Sequence, residues 1–110
     1  MQDLKTELRL ILGRRRGRQN AVTGKDLAAI LGHRDDRKIR LAIRDLIGEG
    51  MPIASATEAP AGYFLVASQH EAERYADTIK NRLVQDAIRR RDFRRSASLY
   101  FQKATQGKLI

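Results

Sequence analysis

Four cations, Arg37, Lys38, Arg40 and Arg44, fall within eight residues of this sequence, and Arg14, Arg15, Arg16 and Arg18 stand within five. The guanidinium group is a planar fork of N–H donors that fits guanine O6 and N7, or the oxygens of a phosphate. A third cluster, Arg89, Arg90, Arg91, Arg94 and Arg95, offers a second such surface or keeps an exposed helix soluble. Groups for covalent or acid–base chemistry are sparse by comparison. His33 and His70 have no second histidine at metal-ligating spacing, and the chain contains no cysteine. Asp35 and Asp36 are adjacent carboxylates, but helix capping accounts for them more simply than general acid–base work. The run GRRRGR lacks the GK[ST] ending of a phosphate-binding loop. No catalysis, metal, cofactor or small-molecule ligand is therefore expected.

The charge balance points the same way. Lys and Arg number 22 against 13 Asp and Glu, a formal net charge of +9. Such an excess favours a polyanionic partner, nucleic acid ahead of an anionic membrane or an acidic protein, although solubility alone would also account for it. A chain of 110 residues, 42% hydrophobic, suggests one domain with a modest core and an appended element. With no cysteine there are no disulfides, which suits a reducing compartment. Met1-Gln2-Asp3 opens with neither a basic region nor an apolar run, and no stretch is long and apolar enough to span a bilayer. A soluble, intracellular protein is expected.

The elements that must position these cations follow from periodicity and capping. Leu4, Leu8, Ile11 and Leu12 predict an amphipathic helix over 3–14. GRRRGRQN (13–20) is expected to be a loop whose flanking glycines let its arginines bend toward a phosphate backbone. Thr23, three residues before Asp26, caps a short second helix carrying Lys25, Leu27, Ile30 and Leu31 and stopped by Gly32. HRDD is a turn, and Asp35 or Asp36 caps a third helix running to about Ile47. Helix, tight turn and helix make a helix-turn-helix pattern.

On the third helix, Ile39, Ala42, Ile43, Leu46 and Ile47 form the expected core stripe. Arg37, Leu41 and Arg44 lie opposite, with Lys38, Arg40 and Asp45 at the flanks. This is the helix that enters the major groove in such a motif, and Leu41 there would touch a thymine methyl or another protein. A solvated basic face is the simpler account of the same residues. After it, MPIASA and GYFLV are short strands around the turn cluster TEAPAG, which makes a β-hairpin; Pro52 fits only a strand's first position or outer edge.

Residues 3–67 resemble a winged helix-turn-helix domain of the biotin-operon-repressor type. The segment IRLAIRDLIGEGMPIASATEAPAGYFLV resembles that family's recognition helix, its L…EG.PI.S exit and its GY.L returning strand. It is also similar to small phage and prophage proteins in which such strands precede a long helix rich in Glu and Arg. The resemblance implies that Arg37, Lys38, Arg40 and Arg44 face double-stranded DNA and that residues 57–62 form the wing tip. The tip departs from a basic wing: it carries Glu58 and no Lys or Arg. Arg14, Arg15, Arg16 and Arg18 are expected either to supply the missing phosphate contacts or to form a solvated basic loop, and Lys25 is a further expected DNA contact.

Ser68 and Glu71 have capping-box spacing, and neither Gly nor Pro occurs from there to Gly107. Ala72, Tyr75, Ala76, Ile79, Leu83 and Ala87 form a stripe; RRRDFRR interrupts it, and Ala97, Tyr100, Phe101 and Ala104 resume it. One helix over about 69–105, or a break near 92–98 with Ser96 or Ser98 capping a final helix, fits this pattern. The expected organisation is therefore α+β and mainly helical: a winged helix over 1–67, then a helical extension over 68–110. The extension is expected to form a homodimer through Ile79, Leu83, Tyr100 and Phe101, or else to fold back on its own domain. The leading expectation is a DNA-binding regulator, or a replication or packaging accessory factor. The alternative is a protein-interaction or assembly module.

Overall fold

The computed structural model describes residues 3–108, with side chains as far as Thr105. Its elements, in chain order, are α1 (Leu4–Gly13), a 3-10 turn (Arg18–Asn20), α2 (Gly24–Ile30), α3 (Arg37–Gly48), β1 (Ile53–Ala56), β2 (Gly62–Leu65) and α4 (Gln69–Lys108). The protein is mainly helical, with one antiparallel hairpin and a long C-terminal helix. Two compact units are present, Met1–Tyr75 and Ala76–Ile110, so the first unit includes the opening turns of α4.

Local sequence sets the helix ends. Asp3 caps α1 by accepting from the Thr6 N–H at 2.8 Å, and Thr23 caps α2 by accepting from Asp26 at 3.0 Å. The α2–α3 turn is closed by two bonds characteristic of a helix ending in a left-handed residue: Gly32 N–H to Ala29 and His33 N–H to Ala28. Gly32 takes φ +75°, which a side chain would oppose. At the head of α3 the two aspartates divide the work. Asp35 accepts from the Arg37 N–H at 3.1 Å, while Asp36, the capping residue by position, makes no side-chain cap and reaches Arg40 at 3.5 Å.

The first unit's core is aliphatic. Leu8, Leu12, Leu27, Ile39 and Leu46 are completely buried, and Val22, Ala42, Ile43 and Ile53 surround them. The expected stripe on α3 is corrected at one position, because Ile47 is 48% exposed. At 100° per residue it lies well to one side of the direction shared by Ile39, Ala42, Ile43 and Leu46. Ile30 on α2 is likewise exposed, whereas its neighbour Leu31 is half-buried.

In the hairpin, Ile53 faces Leu65 and Ala56 faces Gly62. Pro52 lies just before β1, where its carbonyl accepts from Val66 and its missing N–H costs no ladder bond. The hairpin also pairs with the chain between α1 and α2. Leu65 N–H donates to Arg15 and Gly17 N–H to Leu65, while Val22 and Tyr63 exchange bonds of 2.7 and 2.8 Å. This corrects the expectation of a bending loop over 13–20: its backbone is stitched to β2 at Arg15 and Gly17, and the chain is tied to β2 again just beyond it at Val22. Gly62 permits the approach. Its φ is +122°, and any Cβ there would overlap the Val22 carbonyl.

The helix α4 is continuous, which settles the alternative left open by RRRDFRR. Nothing in that run breaks a helix, so Ser96 and Ser98 lie within α4 and cap nothing. Ser68 caps it by accepting from the Glu71 N–H at 3.1 Å. No described helix is long and apolar enough to cross a membrane.

Candidate nucleic-acid interface

The packing of α3 determines what it shows to solvent. With Ile39, Ala42, Ile43 and Leu46 buried, the opposite side presents Arg37, Lys38, Arg40, Leu41 and Arg44, all exposed. Asp36 engages Arg40, whereas among the described residues Arg37, Lys38 and Arg44 form no ion pair. Three cations and the 53%-exposed Leu41 thus lie on one exposed side of α3, with the exposed Asp45 carboxylate at its flank. Arg34, exposed in the turn ahead of α3, adds a cation that helix periodicity did not single out. Its only signal in the sequence was its place in that turn. Lys25 is exposed in the first turn of α2.

The second cluster is divided by its backbone. Arg14, Arg15 and Arg16 point into solvent, and the Arg15 and Arg16 positions are fixed by the pairing with β2. The Asn20 amide braces the turn by donating to the Arg16 carbonyl at 2.6 Å. Arg18 is half-buried and differently employed. Its guanidinium donates to the Glu58 carbonyl at 2.6 Å and to the Pro60 carbonyl. The hairpin tip, which has no cation of its own, thereby holds one borrowed from the segment after α1. The carboxylate of Glu71 accepts from the Ala67 N–H at 2.9 Å and the Arg18 N–H at 3.4 Å, joining this segment to the start of α4. The Tyr75 hydroxyl and Ser55 hydroxyl lie 3.2 Å apart.

A separate ion cluster fastens α1 to the end of α3. Glu49 accepts from Lys5 and lies 3.3 Å from Arg9. The Lys5 hydrogen bond holds the Glu49 carboxyl below its usual range and raises the Lys5 ammonium. The backbone bond from Thr6 lowers Asp3. Burial raises the Tyr63 phenol, and the nearby Asp36 charge adds to the effect. All four shifts have structural causes. Among the described residues no cluster of three or more His, Asp or Glu could hold a metal ion.

The four residues expected to mediate dimerisation lie in the second unit, on α4, and all are uncovered. Ile79 is 41% exposed, Leu83 65%, Tyr100 68% and Phe101 66%. Tyr100 and Phe101 meet edge to face, with ring centroids 5.4 Å apart. Arg89 and Arg91 make local pairs with Asp86 and Asp92 on this well-exposed helix.

No protein-family model matches the chain, and neither the curated proteins nor the solved structures give a match.

Proposed function

We propose that the first unit is a winged helix that binds double-stranded DNA, with α3 in the major groove. The observation that carries this reading is the face of α3 opposite its buried stripe. It presents Arg37, Lys38 and Arg44 without ion-pair partners, beside Arg40 and Leu41. Arginine there suits guanine edges, and Leu41 suits a thymine methyl. Arg14, Arg15, Arg16 and Lys25 fix the protein on the phosphate backbone. Arg18 serves the hairpin tip, so its contribution to DNA is indirect. The C-terminal helix joins two copies, which matches the two-fold symmetry of most helix-turn-helix sites. Binding of this kind belongs to a transcriptional regulator or to a replication or packaging factor, acts without catalysis, and places the protein in the cytoplasm with the nucleoid.

A second reading has a specific observation in its favour. Leu41 and Ile30 are exposed apolar residues in the helical pair, and the hairpin tip contributes no cation of its own sequence. A protein-docking module would use those features directly. Selection of bound duplexes from a random oligonucleotide pool separates the two. DNA recognition predicts enrichment of one motif, repeated as an inverted pair if the protein binds as a dimer. A pool that remains random, with no duplex retained at low salt, refutes it in favour of the docking module.

A further inference from the structure

Past Tyr75, α4 has a seam whose chemistry specifies how two copies would meet. Alternating steps of three and four residues from Ala76 pass through Ile79, Leu83, Asp86, Arg90, Phe93, Ala97 and Tyr100. This 3.5-residue period is the seam of a left-handed coiled coil. It spans about 36 Å at 1.5 Å per residue. Its large residues lack cover: Phe93 is 71% exposed, Tyr100 68% and Leu83 65%. The second unit contains no other element to cover them, since α4 is the only one described there.

Two of the eight seam positions are charged, and they decide the orientation. In a parallel pair, equivalent residues share a layer, so Asp86 would meet Asp86 and Arg90 would meet Arg90. Like charges in core layers oppose association. In an antiparallel pair crossing at the level of Ile88, residues equally far before and after that point meet. Asp86 then faces Arg90, Leu83 faces Phe93, Ile79 faces Ala97 and Ala76 faces Tyr100. Each pairing occurs twice by the two-fold axis. The charges neutralise each other, and an alanine makes room for each of Tyr100 and Ile79. Among the described residues Asp86 pairs only with Arg89, 3.9 Å away, and its side chain remains 61% exposed. Lys80, Arg82, Arg89 and Arg94 flank the seam and are basic in either orientation, so the core pair sets the choice.

We propose that α4 pairs with α4 of a second copy as an antiparallel coiled coil, held in register by Asp86 against Arg90. This inference rests on the reading that α4 joins two copies, and adds its direction and register. The chain has no cysteine, so single introduced thiols report on the geometry. Ile79→Cys and Ala97→Cys are prepared separately and treated with a short thiol crosslinker, alone and mixed. The antiparallel seam predicts crosslinked dimers in the mixture and at most traces with either variant alone. Efficient crosslinking of each variant with itself overturns the orientation but leaves the dimer standing. Absence of crosslinks, with a monomer mass by sedimentation at tens of micromolar, overturns both. Charge reversal provides a check without thiols. Asp86→Arg raises the dimer Kd roughly tenfold or more, and adding Arg90→Asp restores most of the affinity. Equal weakening by the single and double variants overturns the Asp86–Arg90 register.

Discussion

Replacing Gly62 with alanine tests how the hairpin is held to the arginine-bearing segment. Gly62 sits at φ +122°, where an L side chain costs about 1–3 kcal/mol in backbone strain. Its new Cβ would overlap the Val22 carbonyl, so the strand must move away. That movement breaks the Val22–Tyr63 pair of hydrogen bonds, 2.7 and 2.8 Å, each contributing about 1 kcal/mol. Together the effects amount to about 3–5 kcal/mol, a large share of the roughly 5–15 kcal/mol expected for a domain. Urea denaturation followed by circular dichroism measures the loss. Because α4 contributes helical signal of its own, the Tyr63 environment provides a separate probe of the first unit. Gly13→Ala is the control, since a Cβ at Gly13 meets nothing within 4 Å. A loss below about 1 kcal/mol for Gly62→Ala would show that the close approach of β2 to Val22 does not hold the segment as described.

Other consequences are open to direct measurement. Arg18→Ala frees the hairpin tip from its two carbonyl contacts; hydrogen exchange over 57–61 should accelerate and stability fall by about 1–2 kcal/mol. Unchanged exchange would refute the anchoring role. Folding stability should decline in acid, because Glu49 and Asp3 have depressed pKa values in the folded protein. Their contributions are complete above the ordinary values of 4.5 and 3.8 and are lost as pH falls through the lower folded values. Glu49→Gln should flatten that acid limb in urea midpoints measured across pH, and an unaltered limb would count against the Lys5–Glu49 contact. The raised Tyr63 phenol works at the other extreme: its contribution is complete below 10.0 and is lost as pH rises through the higher folded value.

Local signals made most elements legible. The Leu4–Leu12 spacing, the Thr23 and Ser68 caps and the glycine after Leu31 each act within one or two helical turns, and they gave α1, α2 and the start of α4. The cationic side of α3 was equally legible, because burial of four apolar residues at helical spacing leaves only one outward side. Pairing of residues 15–22 with β2 was not. Those backbone bonds join positions more than forty residues apart and leave no local pattern. The glycines of GRRRGR suggested freedom, yet Gly17 is buried and donates to Leu65. The role of Arg18 was hidden for the same reason, since its acceptors are main-chain carbonyls, which carry no residue signature. Ile47 and Ile30 show the limit of hydrophobic pattern: a residue near the edge of a stripe is buried only if a neighbouring element reaches it. The continuity of α4 reflects a weak rule outweighed by a stronger one. Possible caps at Ser96 and Ser98 do not end a helix that contains neither Gly nor Pro nearby.

Under the proposed function α3 reads duplex DNA through its outward cations. Fluorescence anisotropy with a labelled duplex at two salt concentrations, using the native protein and Arg37→Ala/Arg44→Ala, tests it most directly. Binding by the native protein should weaken steeply with salt, at about 0.9 in the log–log slope per phosphate neutralised. Affinity should be at least about tenfold lower in the double variant, with circular dichroism unchanged because both side chains are exposed. Binding undetectable at low salt, or equal for the two proteins, would contradict it.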